Sequence, residues 1–151
     1  MKAKHADWFE TTVKYDKIGE DGLPVKSKES YAIEVFNFTE AESTITEEMK
    51  SYIRGEFIVQ DIKKAPYKEV FFSENSNDDK FYKIKIQYII INEKTETEKY
   101  SSCTYLVQSN NLQNAVKSIC EELDKGIADW KIASVSETKL LDVFEKTKIE
   151  E

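Results

Sequence analysis

The sequence holds little of what catalytic and metal sites are usually built from. It carries one histidine, His5, and two cysteines, Cys103 and Cys120, which stand 17 residues apart. His5 precedes the first patterned segment and is expected on the surface of an N-terminal arm. No C-x-x-C, H-E-x-x-H or EF-hand spacing occurs, so no metal site is indicated. The four glycines are scattered at 19, 22, 55 and 126, which excludes a glycine-rich phosphate loop. With only two prolines, collagen-like and low-complexity classes are excluded too. No apolar run approaches the roughly 18 residues of a membrane-spanning helix. Lys2 and Lys4 are followed by no hydrophobic segment, so no secretory leader is expected. The cysteines are then expected as reduced thiols in a cytoplasmic protein. Basic residues are also in deficit, 22 against 29 acidic, for a net charge of −7. That excludes nucleic-acid binding by bulk positive charge and leaves only a local basic face.

What the chain does have is aromatic bulk: 8 tyrosines, 8 phenylalanines and 2 tryptophans in 151 residues. This is core material for one domain or two very small ones. The chain also reads as written twice. Trp8-Phe9, Val13 and Tyr15 correspond to Phe81-Tyr82, Ile86 and Tyr88, all 73 apart. Tyr31, Ile33, Asn37, Ala41, Ile45, Glu48 and Met49 correspond to Tyr105, Val107, Asn111, Ala115, Ile119, Glu122 and Leu123 at a spacing of 74. Phe57, Val59, Ile62 and Val70-Phe71 return to 73, against Trp130, Ile132, Val135 and Val143-Phe144. The offset changes only in the first hairpin loop and just after the helix, where insertions are tolerated.

Each copy reads strand, strand, helix, strand. Phe9, Thr11, Val13 and Tyr15 alternate with Trp8, Glu10, Thr12 and Lys14, the period of a strand with one buried face. Residues 82 to 90 repeat that alternation. Asn37 and Asn111 are expected helix N-caps, and Glu40 lies three residues after Asn37, at capping-box spacing. Ala41, Ile45, Met49 and Ile53 form one stripe; Ala115, Ile119, Leu123 and Ile127 form the other. Gly55 and Gly126 are expected helix stops. Third strands follow at 56–63 and 129–137, each with a short tail ending in Val-Phe. Pro66 argues against a central place in a sheet for the first tail. The fold expected is α+β: a tandem, pseudo-twofold duplication of a ββαβ unit, with antiparallel sheets and one helix each. The first repeat is placed at 7–72, a polar linker at 73–80 and the second repeat at 81–145. Phe36, Ile58 and Ile62, with Leu106, Ala133 and Val135, are expected on the sheet faces away from the helices. They are too apolar to stay wet, so the halves are expected to complete one domain.

Adjacent acidic pairs, Glu47-Glu48 and Glu121-Glu122, do not face one another on a helix and form no carboxylate dyad. With no other constellation, no catalytic residue, cofactor or metal is assigned, and the protein is expected not to be an enzyme. Binding remains. Trp8, Lys14, Phe81, Lys83 and Lys85 share one alternation phase of the two first strands. Aromatics beside lysines on a sheet stack bases and hold phosphates; the same pattern also suits buried aromatics flanked by edge-strand lysines. An open sheet edge taking a partner strand is the competing means of recognition.

Several stretches carry a family resemblance: Trp8-Phe9-Glu10, Phe38-Thr39-Glu40-Ala41-Glu42 through Glu47-Glu48-Met49, Gly55-Glu56-Phe57, Asp61-Ile62-Lys63, Ser136-Glu137-Thr138 and Asp142-Val143-Phe144. Through them the chain resembles a domain-of-unknown-function family of gut Bacteroidetes and their phages, including crAss-like phages. The resemblance implies a phage or mobile-element accessory protein and brings no catalytic residues. In topology alone, the ββαβ order looks like the duplicated unit of the large-subunit ribosomal protein L-eighteen-a. The reading is therefore a protein-interaction module with a protein partner. Single-stranded nucleic-acid binding is the alternative. No membrane association is expected, and a free sheet edge is open to homo-oligomerisation.

Overall fold

A computed structural model describes residues 6–146; His5 lies outside them. The elements run β1 (Asp7–Ile18), β2 (Pro24–Val35), α1 (Phe38–Tyr52), β3 (Phe57–Lys64), β4 (Tyr67–Phe71), β5 (Lys80–Asn92), β6 (Thr97–Ser109), α2 (Leu112–Leu123), β7 (Asp129–Glu137) and β8 (Leu140–Phe144). The fold is α+β, with two four-stranded sheets and two helices in a duplicated arrangement.

The last strand of each copy leaves the sheet of its own copy. One unit holds β1, β2, α1, β3 and β8, with strand order β3-β1-β2-β8. The other, Pro66–Lys139, holds β4, β5, β6, α2 and β7, in the order β4-β6-β5-β7. Sheet membership therefore does not follow the sequence halves 7–72 and 81–145. The chain passes between units at Ala65–Pro66 and Lys139–Leu140. The expectation of antiparallel sheets also needs correction: β8 on β2 and β4 on β6 are parallel. Both arriving strands take edge places, which agrees with Pro66 just ahead of β4.

Residues 73–80 do not act as a free linker. Gln108 on β6 accepts from the Ser73 backbone N–H at 2.9 Å and donates through Nε2 to the Asp78 carbonyl at 2.9 Å. One side chain thus ties both ends of the turn.

The helices begin as their sequence directs. The Asn37 side chain accepts from Glu40 N at 2.8 Å, and Asn111 from Asn114 N at 2.8 Å, satisfying one orphan N–H in each. The Glu40 carboxylate completes no capping box and pairs with Lys146. Ala41, Ile45, Met49 and Ile53 are buried as expected, packed on Phe9, Val13, Tyr31, Ile33 and Val35. Burying side chains as large as Ile45 and Met49 is worth about 1.5–3 kcal/mol each. The second stripe is shorter. α2 ends at Leu123 with Asp124 as cap, so Ile127 falls beyond the helix and is fully exposed. Gly55 has φ +96°, the left-handed conformation suited to a helix exit, whereas Gly126 is not in that region.

A bulge at matching positions sets the outer strands. Thr12 lies opposite Asp61 and Val13 opposite Val59, leaving Gln60 as the extra residue. In the second unit Lys85 lies opposite Ser134 and Ile86 opposite Ile132, leaving Ala133. One extra residue reverses the two-residue alternation. Phe57 and Val59 pack beneath α1, and after the bulge so does Ile62. Val135 likewise joins Trp130 and Ile132 in the second core. Ile62 and Val135 therefore belong to the helix-side cores, contrary to the placement expected from unbroken alternation. Ile58 and Ala133 are exposed, while Leu106 is fully buried.

Candidate functional site

The sequence-derived face is the first candidate. Trp8 and Phe81 are buried, at 6% and 2% exposure. Neither ring offers a face on which a base could stack, so the aromatic half of that site is corrected to core. Lys83 and Lys85 are exposed and Lys14 is half-buried. Cross-strand from them stand Leu106, Thr104 and Lys28 respectively. The lysines remain as surface charges without their aromatic partners.

A second feature emerges only from the three-dimensional arrangement. In the first unit β3 is an outermost strand, paired on one side by β1. Between β3 and α1 runs a groove of about 660 Å³, lined by Phe38, Thr39, Glu42, Thr46, Phe57, Val59, Gln60, Asp61 and Ile62. Local sequence builds each wall. The Asn37 cap starts α1 so that Ala41, Ile45 and Met49 face the core and Glu42 and Thr46 fall to its flank. Phe38, at the first helical position, is half exposed at 53% and meets Phe9 edge-on at 4.9 Å. On the opposite wall, Phe57, Val59 and Ile62 are only partly covered by the core they join.

Alternation and helical period place these residues on their own elements but do not report that α1 and β3 stand side by side. One signal was present: Phe38-Thr39, Glu42, Phe57 and Asp61-Ile62 lie within the stretches that carry the family resemblance.

The groove offers apolar surface, hydroxyls, an amide and the Glu42 carboxylate, with no thiol or imidazole; Asp61 lies opposite Thr12, on the face of β3 away from α1. Burial raises the Cys120 thiol pKa, with help from Asp124 and Glu121, which keeps it protonated and weakly nucleophilic. Cys103 and Cys120 are unbridged. Among the described residues no group of three or more His, Cys, Asp or Glu is arranged to hold a metal ion. Nor, among those residues, is any helix long and apolar enough to cross a membrane.

No curated protein and no solved structure matches the chain. Residues 7–146 do match a family model, nearly the full length of the sequence, and the chain belongs to that family, described as a domain of unknown function (DUF4494).

Proposed function

We propose that this protein is a non-catalytic protein-interaction module whose first unit takes an extended segment of a partner protein alongside β3. The observation that carries the reading is an outermost strand with an open groove of about 660 Å³ beside it. A guest strand gains main-chain hydrogen bonds from such an edge, while its alternate side chains enter the neighbouring groove. The bulge at Gln60 interrupts regular pairing, so the guest engages a short run on one side of it. The family resemblance to proteins of gut Bacteroidetes and their phages supports a role as a phage or mobile-element accessory protein in the cytoplasm of the carrying cell.

The test is a peptide-display selection against the intact chain, followed by amide mapping of the selected peptides. Thr46→Trp, on the α1 wall, fills the groove with little change in helix propensity. Selected peptides should shift amides of β3 and α1 and bind T46W at least roughly tenfold more weakly, since their side chains lose a buried pocket. Equal binding to T46W, shifts mapping elsewhere, or no enrichment at all would overturn the reading.

A further inference from the structure

We infer that the second unit carries an interface for single-stranded nucleic acid on the sheet face away from α2, centred on Lys83, Lys85 and Lys131 beside Tyr100. Tyr82, Ile84 and Ile86 on β5, with Trp130 and Ile132 on β7, join Ala115 and Ile119 of α2 in one core. Alternation therefore turns Lys83, Lys85 and Lys131 to the opposite face, where all three are exposed. Lys131 stands directly across from Gln87. Lys83 and Lys85 have uncharged neighbours on both sides, Leu106 and Thr104 on β6, Ser136 and Ser134 on β7. Among the described residues, none of the three lysines makes a salt bridge. Tyr100, 51% exposed, lies opposite Ile89 on the same face, and Lys131 Nζ sits 4.7 Å from the centre of its ring. The acids of this face on the three strands, Glu98 and Asp129, lie toward the β5–β6 hairpin tip, opposite Ile91 and Ile89, and bound the patch there.

The strand β5 is interior, between β6 and β7, so Lys83 and Lys85 guard no sheet edge. Nor does the fold require them. The first copy carries Glu10, Thr12 and Ile58 where the second has Lys83, Lys85 and Lys131, and Asp61 where it has Ser134. There Glu10 pairs with Lys63 at 3.7 Å, so charge is answered within the sheet. The second unit instead keeps a local set of unpaired cations in a chain of net charge −7. Phosphates answer the lysines, the hydroxyls and the Gln87 amide offer further bonds to phosphate and sugar, and an exposed ring takes a base on its face. An acidic peptide would use the lysines and leave the ring without a partner.

The experiment uses the intact protein and three fluorescent probes of equal length: oligothymidylate, oligouridylate and a polyglutamate peptide. Binding is read by anisotropy at low salt and located by amide mapping. The patch variant is Lys83→Gln, Lys85→Gln and Lys131→Gln together. The control variant, Lys26→Gln, Lys50→Gln and Lys117→Gln, removes three exposed cations elsewhere. At least one oligonucleotide should bind and shift amides of β5, β6 and β7. Three neutralised phosphates on a single strand predict a loss of roughly 20-fold between about 50 and 200 mM salt. The patch variant should lose roughly tenfold or more at low salt and flatten that dependence, while the control changes binding less than about twofold. Tyr100→Leu should weaken binding roughly fivefold or more with the salt dependence intact, because stacking is not charge. All substituted positions are exposed, so each variant should keep the wild-type melting transition. Binding of neither oligonucleotide, or equal losses in patch and control variants, would overturn the inference. Polyglutamate bound as tightly as the oligonucleotides, with Tyr100→Leu without effect, would assign the face to an acidic protein segment and overturn it too.

Discussion

The hydroxyls of Tyr88 and Tyr105 lie 2.6 Å apart and bond each other directly. Their counterparts in the first unit, Tyr15 and Tyr31, both donate instead to the carboxylate of Glu29, Tyr31 at 2.7 Å. The residue at the position of Glu29 in the second copy is Cys103: Glu29 stands opposite Val13, and Cys103 opposite Ile86. One tyrosine pair thus shares a carboxylate acceptor, and the other is joined by its own direct bond. Glu29→Ala removes the acceptor of two part-buried phenols and should cost about 1–3 kcal/mol. Cys103→Ala leaves the Tyr88–Tyr105 bond in place and should cost under about 1 kcal/mol, chiefly packing. Urea denaturation of the two variants beside the wild type measures the difference, and equal losses would contradict it.

The same tyrosines make stability depend on alkaline pH. Burial first, then the Glu29 hydrogen bond, raises the Tyr31 pKa well above its ordinary 10.0. Burial, then bonds to Cys103 and Tyr88, does so for Tyr105. Tyr15 is raised mainly by its bond to Glu29. A group that holds its proton more tightly when folded stabilises fully below its unfolded pKa, and that contribution fades as pH climbs toward the folded value. The urea midpoint should therefore fall steadily above pH 10. In the Tyr31→Phe, Tyr105→Phe double variant the fall should be shallower, because two titrating groups are gone. A midpoint flat to pH 11.5 in the wild type would refute this.

The two helix caps offer a matched pair of sites. Asn37→Ala and Asn111→Ala each remove a side-chain acceptor held 2.8 Å from a first-turn N–H, and each should cost about 1 kcal/mol. Asn37→Asp keeps the acceptor and adds negative charge at the positive end of α1, so it should be neutral or stabilising by a few tenths of a kcal/mol. Thermal melts followed by far-UV circular dichroism give the ranking.

The caps, the stripe from Ala41 to Ile53 and the alternation of β1 and β5 were all legible because they depend on residues a few positions apart. The bulges were not. Phe57, Val59 and Ile62 read as two phases of one strand, and only pairing against Thr12 and Val13 reveals that Gln60 is extra. Burial of Trp8 and Phe81 was equally hidden, since alternation says which residues share a face and not whether that face is covered. The groove fails to register for the same reason: Glu42 and Val59 are 17 positions apart and line it together only through tertiary packing. The destination of the Val-Phe tails was likewise unreadable, because five residues carry the same local pattern whichever sheet they join.

Those tails yield the most demanding prediction. A chain cut between Ser76 and Asn77, at the exposed tip of the turn that Gln108 ties down, gives two pieces of similar size. The first piece lacks β8, the edge strand beside β2, and carries β4 with no sheet of its own to join. The second piece lacks β4 beside β6 and carries β8 unpaired. Each loses main-chain pairing along one edge and buried side chains: Leu140 and Val143 in one case, Tyr67 in the other. Losses of about 2–5 kcal/mol for each large buried side chain are comparable with the whole stability of a small domain. Neither piece should unfold cooperatively alone. Mixed in equal amounts they should recover near-UV circular dichroism and a single melting transition that rises with concentration, as mass action requires. If the reciprocal exchange of β4 and β8 were dispensable, each piece would show its own sharp transition and mixing would change nothing.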